Sequence, residues 1–157
     1  MGKTTMRPYA QGGYSADGSP SNWAAIDAMM TELYADQVFA VTVAVEAGNL
    51  REGWCKPGYV GAVVGVDAIV NDKPASAADG CTAFIESNDG TIPIVESFDL
   101  TASPATTGAL AAQTVVDGEV AITATTLIRC AVLAGADVTG GKDVTFLIKV
   151  RRGAAEE

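Results

Sequence analysis

A mainly β fold is what this sequence predicts: an antiparallel sandwich or jelly roll, preceded by an extended arm and one short α-helix. Three observations carry that expectation. From Val38 to Arg151, apolar and polar residues alternate over short runs, the period of half-buried strands. Clusters of Gly, Asp, Asn and Pro punctuate those runs roughly every 8–12 residues, which gives about eight strands, the spacing of a sandwich or jelly roll. Residues 1–37 lack the alternation and hold one stretch with helical spacing. The expected organisation is an arm over 1–20, a helix over 21–37, a β-domain over 38–151 and a tail over 152–157. No repeat of fixed period is present.

The arm is rich in Gly, Ser, Thr and Pro and has no apolar period. Such a segment buries too little to offset its ordering entropy without a partner. The helix follows Pro20, with Ser21 or Asn22 as its cap. Trp23, Ile26, Met30, Leu33 and Tyr34 recur at three- and four-residue steps and form one stripe, with Asp27 and Glu32 off it. A short isolated helix is marginal in water, so this stripe is expected to be a contact surface. Its partner is the β-domain, a sister subunit or another protein.

The strands follow in order. Val38–Val45 alternates, with Phe39, Val41, Val43 and Val45 on one face, and Glu46-Ala47-Gly48-Asn49 turns the chain. Leu50–Trp54 reads as a short strand closed by Lys56-Pro57-Gly58. Tyr59–Val70 is the longest run, with Val60, Ala62, Val64, Val66, Ala68 and Val70 expected on one side and Gly61 and Gly65 interrupting the other. Residues 71–80 read as a polar loop. Cys81–Glu86 and Ile92–Phe98 flank Ser87-Asn88-Asp89-Gly90, a hairpin turn by composition. Thr101–Ala112 reads as a long loop. Val115-Val116, Asp117-Gly118 and Val120–Thr123 suggest a second hairpin. Thr125–Leu133 and Val144–Val150 complete the set.

At 157 residues the chain supports one domain, or one domain with an appendage. Hydrophobic residues make up 48% and charged residues 18%, which argues for a folded chain. Aromatics are only 6%, so the core is built mainly from Val and Ala. The net charge of −9 argues against a nucleic-acid partner and against an anionic membrane surface, since both call for clustered Lys and Arg. No apolar stretch reaches the roughly 18 residues of a membrane span, and no secretory leader is expected. Cys55, Cys81 and Cys130 are odd in number and widely spaced, and read as small buried hydrophobes with free thiols in a reducing setting.

Candidate chemistry is sparse. The absence of histidine removes the commonest general base and metal ligand. Gly2-Lys3-Thr4 and the segment Gly135 to Asp143 imitate parts of a phosphate loop, but neither has its spacing between a strand and a helix. Glu86 and Glu96 lie on the two arms of the first hairpin, where they would face each other; two carboxylates suffice for glycoside hydrolysis, but solvated outer-face charges are the stronger expectation. Asp72, Asp79, Asp89 and Asp99 form no calcium-loop pattern. Trp54 and Tyr59 flank a tight turn, where an aromatic pair stacks on a sugar or, more often, caps a core or meets a subunit. No catalytic residue, cofactor or metal is expected. The candidate partner-binding residues are Trp23, Ile26, Met30, Leu33, Tyr34, Trp54 and Tyr59.

The run Lys56-Pro57-Gly58-Tyr59-Val60-Gly61 into a long Val/Ala strand, and the closing Gly140-Gly141-Lys142-Asp143-Val144-Thr145 strand, resemble small virion proteins of tailed bacteriophages. Those proteins carry jelly-roll β-domains that decorate heads or serve as fibre modules. The likeness covers roughly residues 38–150 and implies a jelly-roll-like domain assembled on a virion surface after synthesis in the host cytoplasm. The implied role is that of a capsid decoration, or cement, protein that binds the major capsid protein and itself; of the homo-oligomers a trimer is slightly favoured over a dimer. The alternative it implies is a tail or head-fibre module that binds host glycans. A jelly-roll carbohydrate-active enzyme ranks below both.

Overall fold

Among the described residues the chain forms nine strands: β1 Gln37–Ala44, β2 Leu50–Cys55, β3 Gly61–Val70, β4 Cys81–Ser87, β5 Ile92–Asp99, β6 Gly108–Ala109, β7 Val120–Ile122, β8 Ile128–Ala134 and β9 Asp143–Arg152. They come from a computed structural model, which describes residues 36–88, 92–102, 108–109 and 112–153, all within one unit spanning Asp36–Glu157. The expected arm and the helical stripe of Trp23, Ile26, Met30, Leu33 and Tyr34 lie outside the described residues. At the junction, Gln37 is already the first residue of β1 rather than the end of a helical segment.

Two antiparallel sheets form. One has the order β1-β9-β3, with β6 and β7 both paired to the far edge of β3. The other has the order β2-β8-β4-β5. The pairs β1·β9, β2·β8, β3·β7 and β4·β5 nest one inside the next. A long antiparallel ribbon folded at β4–β5 and rolled into two sheets has this pairing, which is the jelly roll. The mainly β sandwich expected from the alternation is present.

Alternation explains which face each strand buries. β1 buries Val41 and Val43, β9 buries Val144, Phe146, Ile148 and Val150, and β8 buries Ile128, Cys130, Val132 and Ala134. Phe146 is the largest fully buried side chain, and Phe98 meets it edge-on with ring centroids 6.4 Å apart. The sheets approach closely at Gly53, where a Cβ would stand 2.6 Å from a Val41 methyl.

Four expectations need correction. In β3 a bulge between Val63 and Gly65 inserts one residue, so the inward face changes partway along. Val66, Ala68 and Val70 are buried as expected, but Val63 replaces Val64 inside, and Val60 is exposed before the strand begins. Val115–Thr123 is not a hairpin. Val115 bridges Val95 in one sheet, whereas β7 pairs with Gly61–Val63 in the other. The Asp117-Gly118 turn is present, with positive φ at both residues and the Gly118 N–H donating to the Val115 carbonyl at 3.0 Å, but it links the two layers. β8 starts at Ile128 because Thr123 and Thr126 close a turn: Thr126 Oγ1 accepts from the Thr123 N–H at 2.9 Å. Within the expected long loop, Leu100–Ala102 forms a 3-10 turn and Gly108–Ala109 is β6.

One end of the sandwich is tied by its loops. Ala75 and Thr139 exchange backbone hydrogen bonds of 2.9 and 2.8 Å. The Asp137 carboxylate accepts from Ser76 Oγ (2.7 Å) and from the N–H groups of Ala77 (2.6 Å), Ala78 (2.7 Å) and Asp79 (3.2 Å). The segment that imitates a phosphate loop thus has its own acid bound to the facing turn.

Candidate functional site: the outer face of the four-stranded sheet

Strand register decides which side chains share a face. Residues directly opposite one another in a ladder point the same way. On the outer side of β2-β8-β4, Leu50, Leu133 and Thr82 form one row; Glu52, Ala131 and Phe84 form the next; Trp54, Arg129 and Glu86 form the third. Large apolar side chains remain open to solvent here. Leu50 is 45% exposed, Trp54 42% and Leu133 47%, with Leu127 just beyond the row of Trp54 at 39%. Ala131, in the centre, is covered by its neighbours.

Arg129 organises the third row. Its Nε donates to Glu52 Oε1 at 2.8 Å and its Nη1 to Glu86 Oε2 at 2.9 Å, while Nη2 also bonds Glu52. One guanidinium therefore links three strands and occupies both carboxylates. A planar fork held on two sides has little rotamer freedom left to lose on contact with a partner. The face thus combines Trp and Arg, types enriched at protein interfaces, with two Glu, a type depleted there.

The sequence singled out Trp54 and Tyr59 as a pair, and the structure separates them. Trp54 stands on this outer face. Tyr59 packs at an end of the core, its ring 6.4 Å from that of Phe39 and 4.7 Å from the Arg152 guanidinium. Its hydroxyl donates to Gln37 Oε1 at 3.0 Å. Burial raises the Tyr59 hydroxyl pKa, and the Arg152 charge works against that rise. Arg129 was not singled out, although a lone charge alternating with Ile128, Cys130 and Val132 was its signal.

The other candidates disperse. The irregular β4–β5 register sets Pro93, not Glu96, opposite Glu86, so the two glutamates do not face each other. Asp99 accepts from the Thr101 N–H at 2.9 Å and shapes the turn after β5. Among the described residues no group of three or more potential metal ligands converges. Cys81 and Cys130 are buried, Cys55 is half-buried, and all three are free. Burial pushes the Cys55 and Cys81 thiols up to about 11 and raises Cys130 as well, so all three stay protonated at neutral pH. An open cleft of about 410 Å³ lies between β5 and residues 113–117, with Glu96, Phe98 and Asp117 in its wall.

No family model, curated protein or solved structure matches this chain. Among the described residues, no helix is long and apolar enough to cross a membrane.

Proposed function

We propose that this chain is a non-catalytic structural virion protein of a tailed bacteriophage, a decoration protein that binds and reinforces the major capsid shell. The observation that carries the reading is the exposed face of Leu50, Trp54 and Leu133 around the Arg129 clamp, carried on a jelly-roll frame. A cement protein works by burying area across seams between shell subunits, and aromatic and Arg anchors dominate such interfaces. Apolar burial contributes roughly 25 cal/mol per Å² and is not screened by salt, whereas exposed ion pairs contribute about 0–1 kcal/mol. With a net charge of −9, bulk attraction to an acidic shell is of no help.

The test is rebinding of the purified full chain to tailed-phage particles stripped of surface proteins. Binding that survives about 1 M NaCl, where surface charges are screened within ~3 Å, together with later rupture on heating, supports the reading. Release by moderate salt, or unchanged heat resistance, overturns it. The fibre alternative draws on one observation: Trp54 stands beside fixed hydrogen-bonding groups, as a sugar-stacking platform requires. Retention on immobilised host glycans that is lost in Trp54→Ala would favour that alternative.

A further inference from the structure

We infer that the open edge of β2 is a self-association surface, on which a second copy of this chain adds its own β2 antiparallel about a two-fold axis at Glu52. Among the described residues β2 is hydrogen-bonded on one side only, to β8. The Ala134 N–H donates to the Asn49 carbonyl at 3.1 Å, and the register continues from there with Leu50 opposite Leu133. Antiparallel residues alternate between bonding the partner strand and facing away. Arg51, Gly53 and Cys55 therefore spend their backbone groups on β8. Leu50, Glu52 and Trp54 turn theirs outward. The other side of β8 agrees: the Asn88 N–H donates to the Leu127 carbonyl at 3.0 Å, which assigns the odd-numbered residues of β8 to β4. Among the described residues nothing bonds the outward groups of Leu50, Glu52 and Trp54.

The same three residues carry the exposed side chains of the strand. An unpaired edge is normally guarded by Pro, a bulge or charged side chains, Lys above all. The two charges of β2, Arg51 and Glu52, are already paired within the chain with Glu46 and Arg129. Of Pro, Lys and a bulge the strand has no instance. A two-fold at Glu52 sets Leu50 opposite Trp54 of the second copy, Glu52 opposite Glu52, and Trp54 opposite Leu50. All are positions with outward backbone groups, so each pair exchanges both its bonds. All three side chains lie on the outer face, where Leu50 and Leu133 of one copy meet Trp54 of the other. The two Glu52 carboxylates at the axis are each held by their own Arg129, which offsets their repulsion. Such an isologous contact closes on itself and joins the two four-stranded sheets into one.

The β1 edge is a poorer candidate. The Val45 N–H donates to the Lys142 carbonyl, so Val38, Ala40, Thr42 and Ala44 face outward there. Only Val38 among them is a large exposed apolar residue. The β5 edge is met by the Val95–Val115 bridge.

The inference names the self-partner of the reading above and sets a two-fold in place of the trimer slightly favoured from sequence. It is tested on free protein, so the two stand or fall separately. Particle binding by a monomer sinks only the dimer. A dimer without particle affinity sinks only the cement reading. The experiment is light scattering during size exclusion of the full chain, with the melting temperature read in parallel. The expected mass is twice the 16.0 kDa of the chain. Glu52→Pro removes an outward N–H and leaves the β8 ladder bonds intact, so it should halve the mass while the protein still melts cooperatively. Trp54→Lys, which changes no backbone bond, should weaken the dimer at least tenfold and covers the case in which the proline variant fails to fold. Val38→Lys on the β1 edge should leave the mass unchanged. Any of four results overturns the inference: a monomer at every soluble concentration, a trimer, a dimer that survives both folded β2 variants, or a dimer lost with Val38→Lys. Strong hydrogen-exchange protection of the Leu50, Glu52 and Trp54 amides in a monomer would show the edge already bonded within one chain and overturn it equally.

Discussion

Asp137 does structural work that its surroundings in sequence do not announce. Its carboxylate closes a turn about sixty positions away through the Ser76 hydroxyl and three backbone N–H groups. The Ser76 hydrogen bond lowers its pKa most; desolvation opposes it, and the three backbone N–H groups add to the lowering. A carboxylate lowered in the folded state contributes stability that is present above its unfolded pKa, about 3.9, and is lost as pH falls through the folded value. Urea melts at neutral pH should therefore find Asp137→Asn less stable than the parent, with the gap closing as the medium is acidified below that range. A gap independent of pH would show that the carboxylate charge plays no part. Arg129 permits a second test. Its pairing with Glu86 is partly exposed, so a double-mutant cycle with Arg129→Met and Glu86→Gln should give a coupling of about 0.5–1 kcal/mol that shrinks in high salt.

At the scale of elements, β2 is open on one face and tightly packed on the other. Its outer face carries Leu50, Glu52 and Trp54, and its inner face has no room at Gly53. Gly53→Ala places a methyl against Val41 and Val43, β-branched side chains with few rotamers to yield. The expected loss is about 1–3 kcal/mol by denaturant melting, the usual cost of overpacking. A neutral result would mean that the sheets separate there without cost. The strands themselves were legible because alternation is a local signal: Val41 and Val43 in β1, or Cys81, Ala83 and Ile85 in β4, announce a face unaided. The β3 bulge was not, since one inserted residue leaves no mark except Gly65 beside it. Nor was the fate of Val115 and Val120: Asp117-Gly118 fixes a reversal of the chain but not which sheet receives each arm. The site was half legible for the same reason. Trp54 stood out by its type, whereas the meeting of Arg129 with Glu52 and Glu86 depends on register across three strands.

For the whole molecule, the core is continuous but thin. It is built mostly from Val and Ile around Phe146, the one aromatic ring fully buried among the described residues, so that side chain carries a disproportionate share. Phe146→Ala should cost about 3–5 kcal/mol, a large part of the stability of an ordinary domain. A loss below about 1 kcal/mol would mean that the core collapses readily into the space. The three thiols are enclosed in the same layer or at its margin. In native protein they should react slowly with a thiol reagent and all at once after denaturation, as buried protonated thiols do.

The nesting of the strand pairs also sets an order in time. Ser87 pairs with Ile92, close by in the sequence, whereas Leu50 must find Leu133 and Gln37 must find Val150. Each wider pair encloses a longer loop and becomes affordable only once the pair inside it has closed, so assembly should run outward from β4–β5 like a zip drawn from its middle. During synthesis β1 emerges before the other eight described strands and waits longest, because β9, the strand that binds it and β3 together, is made after the others. Until then the nascent chain displays open strand edges, the state most prone to cross-pairing between neighbouring chains. Chains stopped before Asp143 should accordingly show no lasting amide protection in β1, and the complete chain should refold in milliseconds to seconds, the pace of distant β-pairing, rather than in the microseconds of a helical bundle.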